Sequence, residues 1–338
     1  MKILHVVEGL GKASGVTTFV ENVTAELRKS GHLVDICTNT DLPLLSKGLD
    51  LWGREYDVVH IHGLWSMLLH RASVWANRDG IPVVWSTHGM TAPWSMSHKW
   101  WKKILPWYLY QKRDLGRAAL VHSTAEMEAK WNETLGFRRG VVVPLGTHLP
   151  SERFVLKNRG GHRRILLFIG RVYPVKAIDR LITAFQMISH EGWTLRIVGP
   201  DQAGHVAELK KKAGADVLFV GPRFGNQLSA EYANCDALAL VSHTENFGAT
   251  VLDAMAYGKV VVTSTKTPWR EVIDHKCGWW VENDPASLAQ TLEEMISLSD
   301  CERAEMGARG RKLVEEKYTW KAVCDAMVNG YRMVKLNV

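Results

Sequence analysis

The chain has 338 residues, 46% of them hydrophobic and 23% charged, with a formal net charge of +7. This length suits two domains, and the apolar share excludes a disordered protein. The basic balance favours anionic partners, whether nucleotides, phosphorylated lipids, an anionic membrane surface or nucleic acid.

The first run, "KILHVV" from Lys2 to Val7, reads as a buried strand and is too short for a signal-peptide core. Gly9, Gly11 and Gly15 follow it and nearly make GxGxxG, with one residue too many. A helical pattern then runs from Val16 to Lys29. The strand-like runs "LVDIC", "DVVHI", "PVVWS", "AALVH" and "GVVVP" come next, with helices between most of them. His60 and His62 share one face of a strand. Two histidines at that spacing could ligate a metal, but no carboxylate or cysteine accompanies them. They are expected to be strand-end residues facing a cleft.

The segment "HKWWKKILPWYLYQKRD", from His98 to Asp114, mixes Trp100, Trp101, Trp107, Tyr108 and Tyr110 with Lys99, Lys102, Lys103, Lys112 and Arg113. Interleaved aromatics and cations suit a membrane interface or a lipid diphosphate. A helix with its tryptophans in the core and its lysines outside accounts for the pattern equally well. Single-stranded nucleic acid would also suit it, but no nucleic-acid motif accompanies it, and no such partner is expected.

A basic stretch from 151 to 164 interrupts the rhythm, which restarts with "ILLFIG", "LRIVG", "VLFVG", "ALALV" and "VVVTS". Two such series predict an α/β protein of two Rossmann-like domains, with parallel sheets facing each other across a cleft. Ligands of such sheets bind at the carboxyl ends of the strands. The expected domains are 1–155 and 156–318, with 319–338 as a C-terminal helix crossing back to the first. No stretch approaches the ~20 apolar residues of a spanning helix. The five cysteines lie far apart without a CxxC pair, as for reduced thiols in the cytoplasm.

The second series carries the chemistry. In "FIGRVYPVKAIDRLITAF" a strand ends at a glycine, and Arg171 and Lys176 precede a helix. Two cations there suit a phosphate or diphosphate; the plain alternative is a pair of solvated surface charges. Pro222 and Arg223 in "LFVGPRFGN" follow another strand, where backbone groups can meet a base edge or simply connect two elements. In "SHTENFGATVLDAMAYG", Glu245 follows a strand and Asp253 lies inside the next helix. Backbone N–H groups from Phe247 to Thr250 and the helix dipole favour an anion. A carboxylate at Glu245 would repel that anion and suits sugar hydroxyls instead; it could also be an ordinary helix-start acid. A ligand with phosphates and a hydroxyl-rich ring is a nucleotide sugar.

These motifs resemble the retaining GT-B glycosyltransferases of family 4, also called glycosyl transferases group 1, over nearly the whole chain. The "ENFGATVLD" segment is similar to the family's acid, seven residues, glutamate pattern. The resemblance implies that Glu245 touches the hydroxyls of the transferred sugar and that Asp253 binds the ribose, although the family has glutamate there. "GRVYPVK" resembles its diphosphate-binding segment, with Arg171 and Lys176; Ala177 replaces a usual glycine. Gly15 and Val16 would lie near the phosphates, and His88 of "WSTHGM" near the reaction centre. Pro222, Arg223, Asn246, Phe247, Gly248, Ala249 and Thr250 complete the expected donor-binding set. His88 and Glu245 are the expected catalytic residues.

No Asp-x-Asp occurs in the chain, so neither a metal nor another cofactor is expected. The family is assigned front-face attack, with the departing phosphate accepting the acceptor's proton. The implied activity is hexosyl transfer from a nucleotide-diphosphate sugar, UDP before GDP, to a glycan or lipid-diphosphate acceptor in surface polysaccharide or lipopolysaccharide biosynthesis. The expected place is the cytoplasm, peripherally on the inner face of its membrane. Two other classes stay open, a GT-B nucleotide-sugar epimerase and a non-catalytic nucleotide-sugar binder.

Overall fold

The structure, a computed structural model, describes residues 1–10, 15–41, 55–150 and 163–336. The chain divides into two units, one of Met1–Gly146 with Trp320–Val338 and the other of Thr147–Thr319. The expected boundary at 155, most of the basic stretch and Gly11 lie outside the described residues.

Among the described residues the first unit holds six parallel strands: β1 (Lys2–Val7), β2 (Leu33–Cys37), β3 (Val58–His62), β4 (Val83–Ser86), β5 (Leu120–Ser123) and β6 (Gly140–Val142). Their order is β2-β1-β3-β4-β5-β6. Side chains alternate between the faces of a strand, and the core follows that parity. Leu4, Val6, Val59, Ile61, Trp85 and Val121 pack with Leu68, Leu69, Ala72 and Ala76 from the helix Met67–Arg78. Ile3, Val7, Val58, Val84 and Leu120 face the other way. They pack on Phe19, Val20, Val23 and Leu27 of the helix Gly15–Lys29 and on Val323, Met327 and Tyr331 of the helix Trp320–Leu336. Each fully buried Val, Leu, Ile, Phe or Met among them stabilises by roughly 1.5–3 kcal/mol.

The second unit holds β7 (Arg164–Ile169), β8 (Trp193–Val198), β9 (Val217–Gly221), β10 (Ala237–Leu240), β11 (Val260–Ser264) and β12 (Gly278–Val281), all parallel. The order β12-β11-β10-β7-β8-β9 reverses direction between β7 and β10, the switch point where open α/β sheets bind ligands. In the first unit the reversal falls between β1 and β3. Among the described residues no helix is long and apolar enough to cross a membrane.

The Trp/Lys segment is the helix Trp101–Pro106, a π-turn at Trp107–Gln111 and the helix Lys112–Arg117. It splits by face. Trp107 packs on Trp65 and Phe137, and Tyr110 Oη donates to the Trp65 carbonyl at 3.0 Å. Trp100 and Trp101 are 58% and 59% exposed, and Ile104, Leu105, Tyr108 and Leu109 are exposed beside them. The placement of all these tryptophans in a core therefore fails, because only Trp107 turns inward.

Candidate active site

In the second unit, the segments that leave β7 and β10 meet at the switch point. Lys176 closes a 3-10 turn, Pro174–Lys176, and its Nζ pairs with Glu245 Oε2. The two side chains keep 14% and 16% exposure, so the pair is largely desolvated but reachable. Ser242 Oγ donates to the same carboxylate at 3.3 Å, and the Glu245 N–H donates to the Lys266 carbonyl at 3.2 Å. Ala177, which follows Lys176, sits in the left-handed region at φ 52°, the conformation that glycine adopts most readily.

Gly248 caps the helix Ala249–Ala256 at φ 78°. A Cβ there would lie 2.9 Å from Leu240 Cδ2, 3.1 Å from Trp269 Nε1 and 3.2 Å from Glu245 Cγ. Both conformation and space therefore require glycine. Phe247 is buried edge-on against Trp269, 5.2 Å between ring centres, which anchors the segment between Glu245 and the helix. Ala249 is exposed, while Asn246 and Thr250 are half-buried.

Asp253 lies one turn into that helix. Its Oδ1 accepts from Thr147 Oγ1 at 2.7 Å and its Oδ2 from Tyr232 Oη at 3.3 Å. Burial raises its pKa, and the two hydroxyls oppose that rise. Arg171 is exposed and donates to Gln202 Oε1 at 3.1 Å. Arg223 reaches Glu231 at 3.7 Å, a carboxylate that Arg196 already holds through two bonds of 2.6 and 2.9 Å; Pro222 beside it is exposed. The close approach of β7 and β8 needs Gly199, since a Cβ there would lie 1.8 Å from the Gly170 carbonyl oxygen. The structure thus brings Lys176, Glu245 and Gly248 together. It places Arg171 after β7, where it bonds Gln202 instead, and Pro222 and Arg223 after β9, where Arg223 faces Glu231.

In the first unit, Gly15 and Val16 open the first helix, Gly15 exposed and Val16 packed on the core. His88 follows β4 in the left-handed region at φ 48°. Its turn is clamped by Glu128, a buried carboxylate that accepts from Thr87 Oγ1 (2.6 Å), Gly89 N (2.5 Å), Thr124 N (2.7 Å) and Thr124 Oγ1 (2.8 Å). Four donors satisfy the charge that burial would otherwise penalise.

His60 and His62 do not face an open cleft. They are fully buried under Phe19 and Tyr331, because their parity places them with Val58 on the covered face. Register sets His5 beside His60, and Ser86 between His62 and His122. A directed chain follows. His122 Nε2 must donate to the Val143 carbonyl (2.7 Å), so its Nδ1 accepts from Ser86 Oγ (2.5 Å). Ser86 then accepts from His60 Nε2 (2.6 Å), and His60 Nδ1 accepts from Tyr331 Oη (2.6 Å). A second chain joins His5 to His62 at 2.8 Å and His62 to His88 at 3.1 Å. His5, His60 and His62 bring ring nitrogens within 4.8 Å of one another, as a metal would need. Both nitrogens of His60 and of His62 are already hydrogen-bonded, so a metal would have to displace those bonds.

The family model "Glycosyl transferases group 1" matches residues 152–313, and "Glycosyltransferase Family 4" matches 40–149. This chain belongs to the GT-B glycosyltransferases of group 1. The glycosyltransferase is 26% identical to a D-inositol 3-phosphate glycosyltransferase of Geodermatophilus obscurus, over 96% of this chain and 85% of that one. It is 30% identical to the lipopolysaccharide 1,2-N-acetylglucosaminetransferase of Salmonella typhimurium, over 47% of this chain and 45% of that one. The Anabaena protein HepE, crystallised with UDP and glucose, has the same fold, with TM-score 0.73, 18% identity and 98% and 100% coverage.

Several residues of this glycosyltransferase escaped the sequence reading: Ser242 and Trp269 around Glu245, Thr147 and Tyr232 on Asp253, Glu128 under His88, and His5. His5 had one signal, a polar residue inside the run "KILHVV", which an all-apolar buried strand would not carry.

Proposed function

We propose that this glycosyltransferase moves a hexosyl group from a nucleotide-diphosphate sugar to a glycan or lipid-linked acceptor, with retention and without a metal, in surface polysaccharide or lipopolysaccharide biosynthesis. The observation that carries the reading is the Lys176–Glu245 pair at the β7/β10 switch point. It supplies a cation for phosphate and a carboxylate for sugar hydroxyls at one place. Arg171 and the N–H groups that open the helix after Gly248 add positive potential for the leaving diphosphate. Asp253, with Thr147 and Tyr232 beside it, is the ribose partner in this reading. The bond from the anomeric carbon to phosphate breaks, the acceptor oxygen bonds to that carbon, and the acceptor's proton passes to the departing phosphate.

The names of the relatives support sugar transfer over epimerisation or mere binding. UDP is preferred as the nucleotide because HepE was crystallised with it, and lipopolysaccharide as the pathway because of the Salmonella relative's name. Arg171→Ala should weaken binding of the nucleoside diphosphate by about 1.5–3 kcal/mol, the worth of a charge-assisted hydrogen bond, and leave the nucleoside unchanged. Titration calorimetry with UDP and uridine checks this; equal loss for both would refute the phosphate role.

The exposed stripe fits an anionic membrane surface. Lys99 and Lys102 are exposed among Trp100, Trp101, Ile104 and Leu105, whereas Lys103 is half-buried and its Nζ donates to the Ser95 and His98 carbonyls. Each cation near such a surface contributes about 1 kcal/mol, screened by salt, and the rings add insertion that salt does not remove. Changing Lys99 and Lys102 to Gln should lower binding to vesicles containing phosphatidylglycerol by at least tenfold, with the melting temperature unchanged. Unchanged binding in a flotation assay would remove the membrane from the account.

A further inference from the structure

We propose that His5 and His62 are positioning residues that set the tautomer of His88, so that His88 offers an Nδ1–H donor to a ligand oxygen. The role given to that oxygen rests on the proposed function; the tautomer itself does not.

The geometry is a line of three rings. His5 Nδ1 lies 2.8 Å from His62 Nε2, and His62 Nδ1 lies 3.1 Å from His88 Nε2. A neutral imidazole has one N–H and one bare nitrogen, so the line can run in only two directions. If His88 donates inward, His62 must donate to His5, and the proton of His5 then sits on Nε2. That nitrogen is sealed and has no partner among the described residues. If His5 donates outward through Nδ1–H, the sealed Nε2 is a bare lone pair instead. Orphaned buried N–H groups are rarer than unsatisfied acceptors, so the second direction wins. His62 then carries its proton on Nδ1 and donates to His88 Nε2, which leaves the proton of His88 on Nδ1. This nitrogen has no partner among the described residues and is not sealed from solvent.

The rings stay neutral because burial holds His5 and His88 down to about 3 and pushes His62 well below its usual range. The neighbouring chain from Tyr331 to the Val143 carbonyl uses up both nitrogens of His60 and of His122, so neither can serve this line instead. The Glu128 clamp keeps the His88 turn in place. The chemical consequence is definite. The one bare nitrogen of His88 is occupied by His62, so His88 cannot take the acceptor's proton. It donates to a hydroxyl or phosphoryl oxygen, and the proton must leave by another group, which agrees with uptake by the departing phosphate.

Histidine-selective 15N labelling, with His88→Gln to assign the signal, tests this by two-bond 1H–15N correlation at pH 7.5. Free histidine leans toward Nε2–H, so an Nδ1–H signal for His88 in the wild-type protein is the expected and diagnostic result; Nε2–H overturns the proposal. His5→Leu should return His88 to the free-histidine preference and lower kcat/KM by about 2- to 10-fold, the loss of one hydrogen bond. His5→Asn, whose amide N–H replaces Nδ1–H, should restore both. An unchanged tautomer in folded His5→Leu would also overturn it. If His5→Leu does not fold, the wild-type signal alone decides. Absence of transfer from every sugar nucleotide would remove the proposed function and leave the tautomer result standing.

Discussion

Acid is expected to unfold the first unit well before it reaches the ordinary carboxylate range. Five histidines, His5, His60, His62, His88 and His122, have lowered pKa values, with burial the largest cause in each. For His5 and His88 the folded value is about 3 against 6.5 unfolded. Below 6.5 the unfolded chain binds more protons than the folded one, so stability rises with pH there. The contribution is complete above 6.5 and is lost as pH falls from there toward 3. Each histidine held neutral costs about 1.4 kcal/mol per pH unit. His5 and His88 alone should remove on the order of 3 kcal/mol by about pH 5.5, and the other three act in the same direction, against the ~5–15 kcal/mol stability of a whole domain. Protonation would also break the directed chains, because a charged imidazole has no acceptor nitrogen. Hydrogen exchange of the β1 and β3 amides between pH 8 and 5 measures this. Protection that stays flat across that range would mean the rings are not held neutral.

Removing the carboxylate of Glu245 is expected to separate turnover from nucleotide binding. Glu245→Ala should lower kcat by about 10²–10³-fold, the cost of one preorganised electrostatic contact at a reaction centre. It also frees Lys176, whose Nζ the carboxylate now pairs. Free nucleoside diphosphate should therefore bind as well as before, or more tightly. Asp253→Ala should do the reverse and weaken the nucleotide, because it removes the acceptor that Thr147 and Tyr232 orient. Calorimetry with UDP and steady-state rates on both variants distinguish the roles. Exchanged phenotypes would mean that the two acids have been assigned to the wrong parts of the ligand.

Of the twelve strands among the described residues, eleven were legible because runs such as "VVVTS" and "ILLFIG" are mostly β-branched or apolar. The missed one, β12, is "GWWV", a half-buried edge strand whose two tryptophans give no alternation. Glu245, Gly248 and Lys176 were legible from their places after strands and from the family pattern. Their pairing was not, since Lys176 and Glu245 lie 69 positions apart and only the β7–β10 adjacency joins them. The histidine network was hidden for the same reason. His60 and His62 showed their common face, but the register that sets His5 beside His60 is a property of the sheet. The tryptophan stripe misled in part because the π-turn at Trp107–Gln111 shifts the helical phase, so that spacing alone did not separate Trp107 from Trp100 and Trp101.

The most direct test of the central claim is nucleotide release across a panel of UDP- and GDP-sugars, with and without lipid extract and with and without EDTA. The expected result is release of the nucleoside diphosphate from at least one of them, accelerated by acceptor, unchanged by EDTA, and giving a product with the anomeric configuration of the substrate. Tight binding of the nucleoside diphosphate without release from any sugar nucleotide would contradict it and leave a binding protein. Loss of all release with EDTA, restored by Mn²⁺ or Mg²⁺, would contradict the metal-free mechanism.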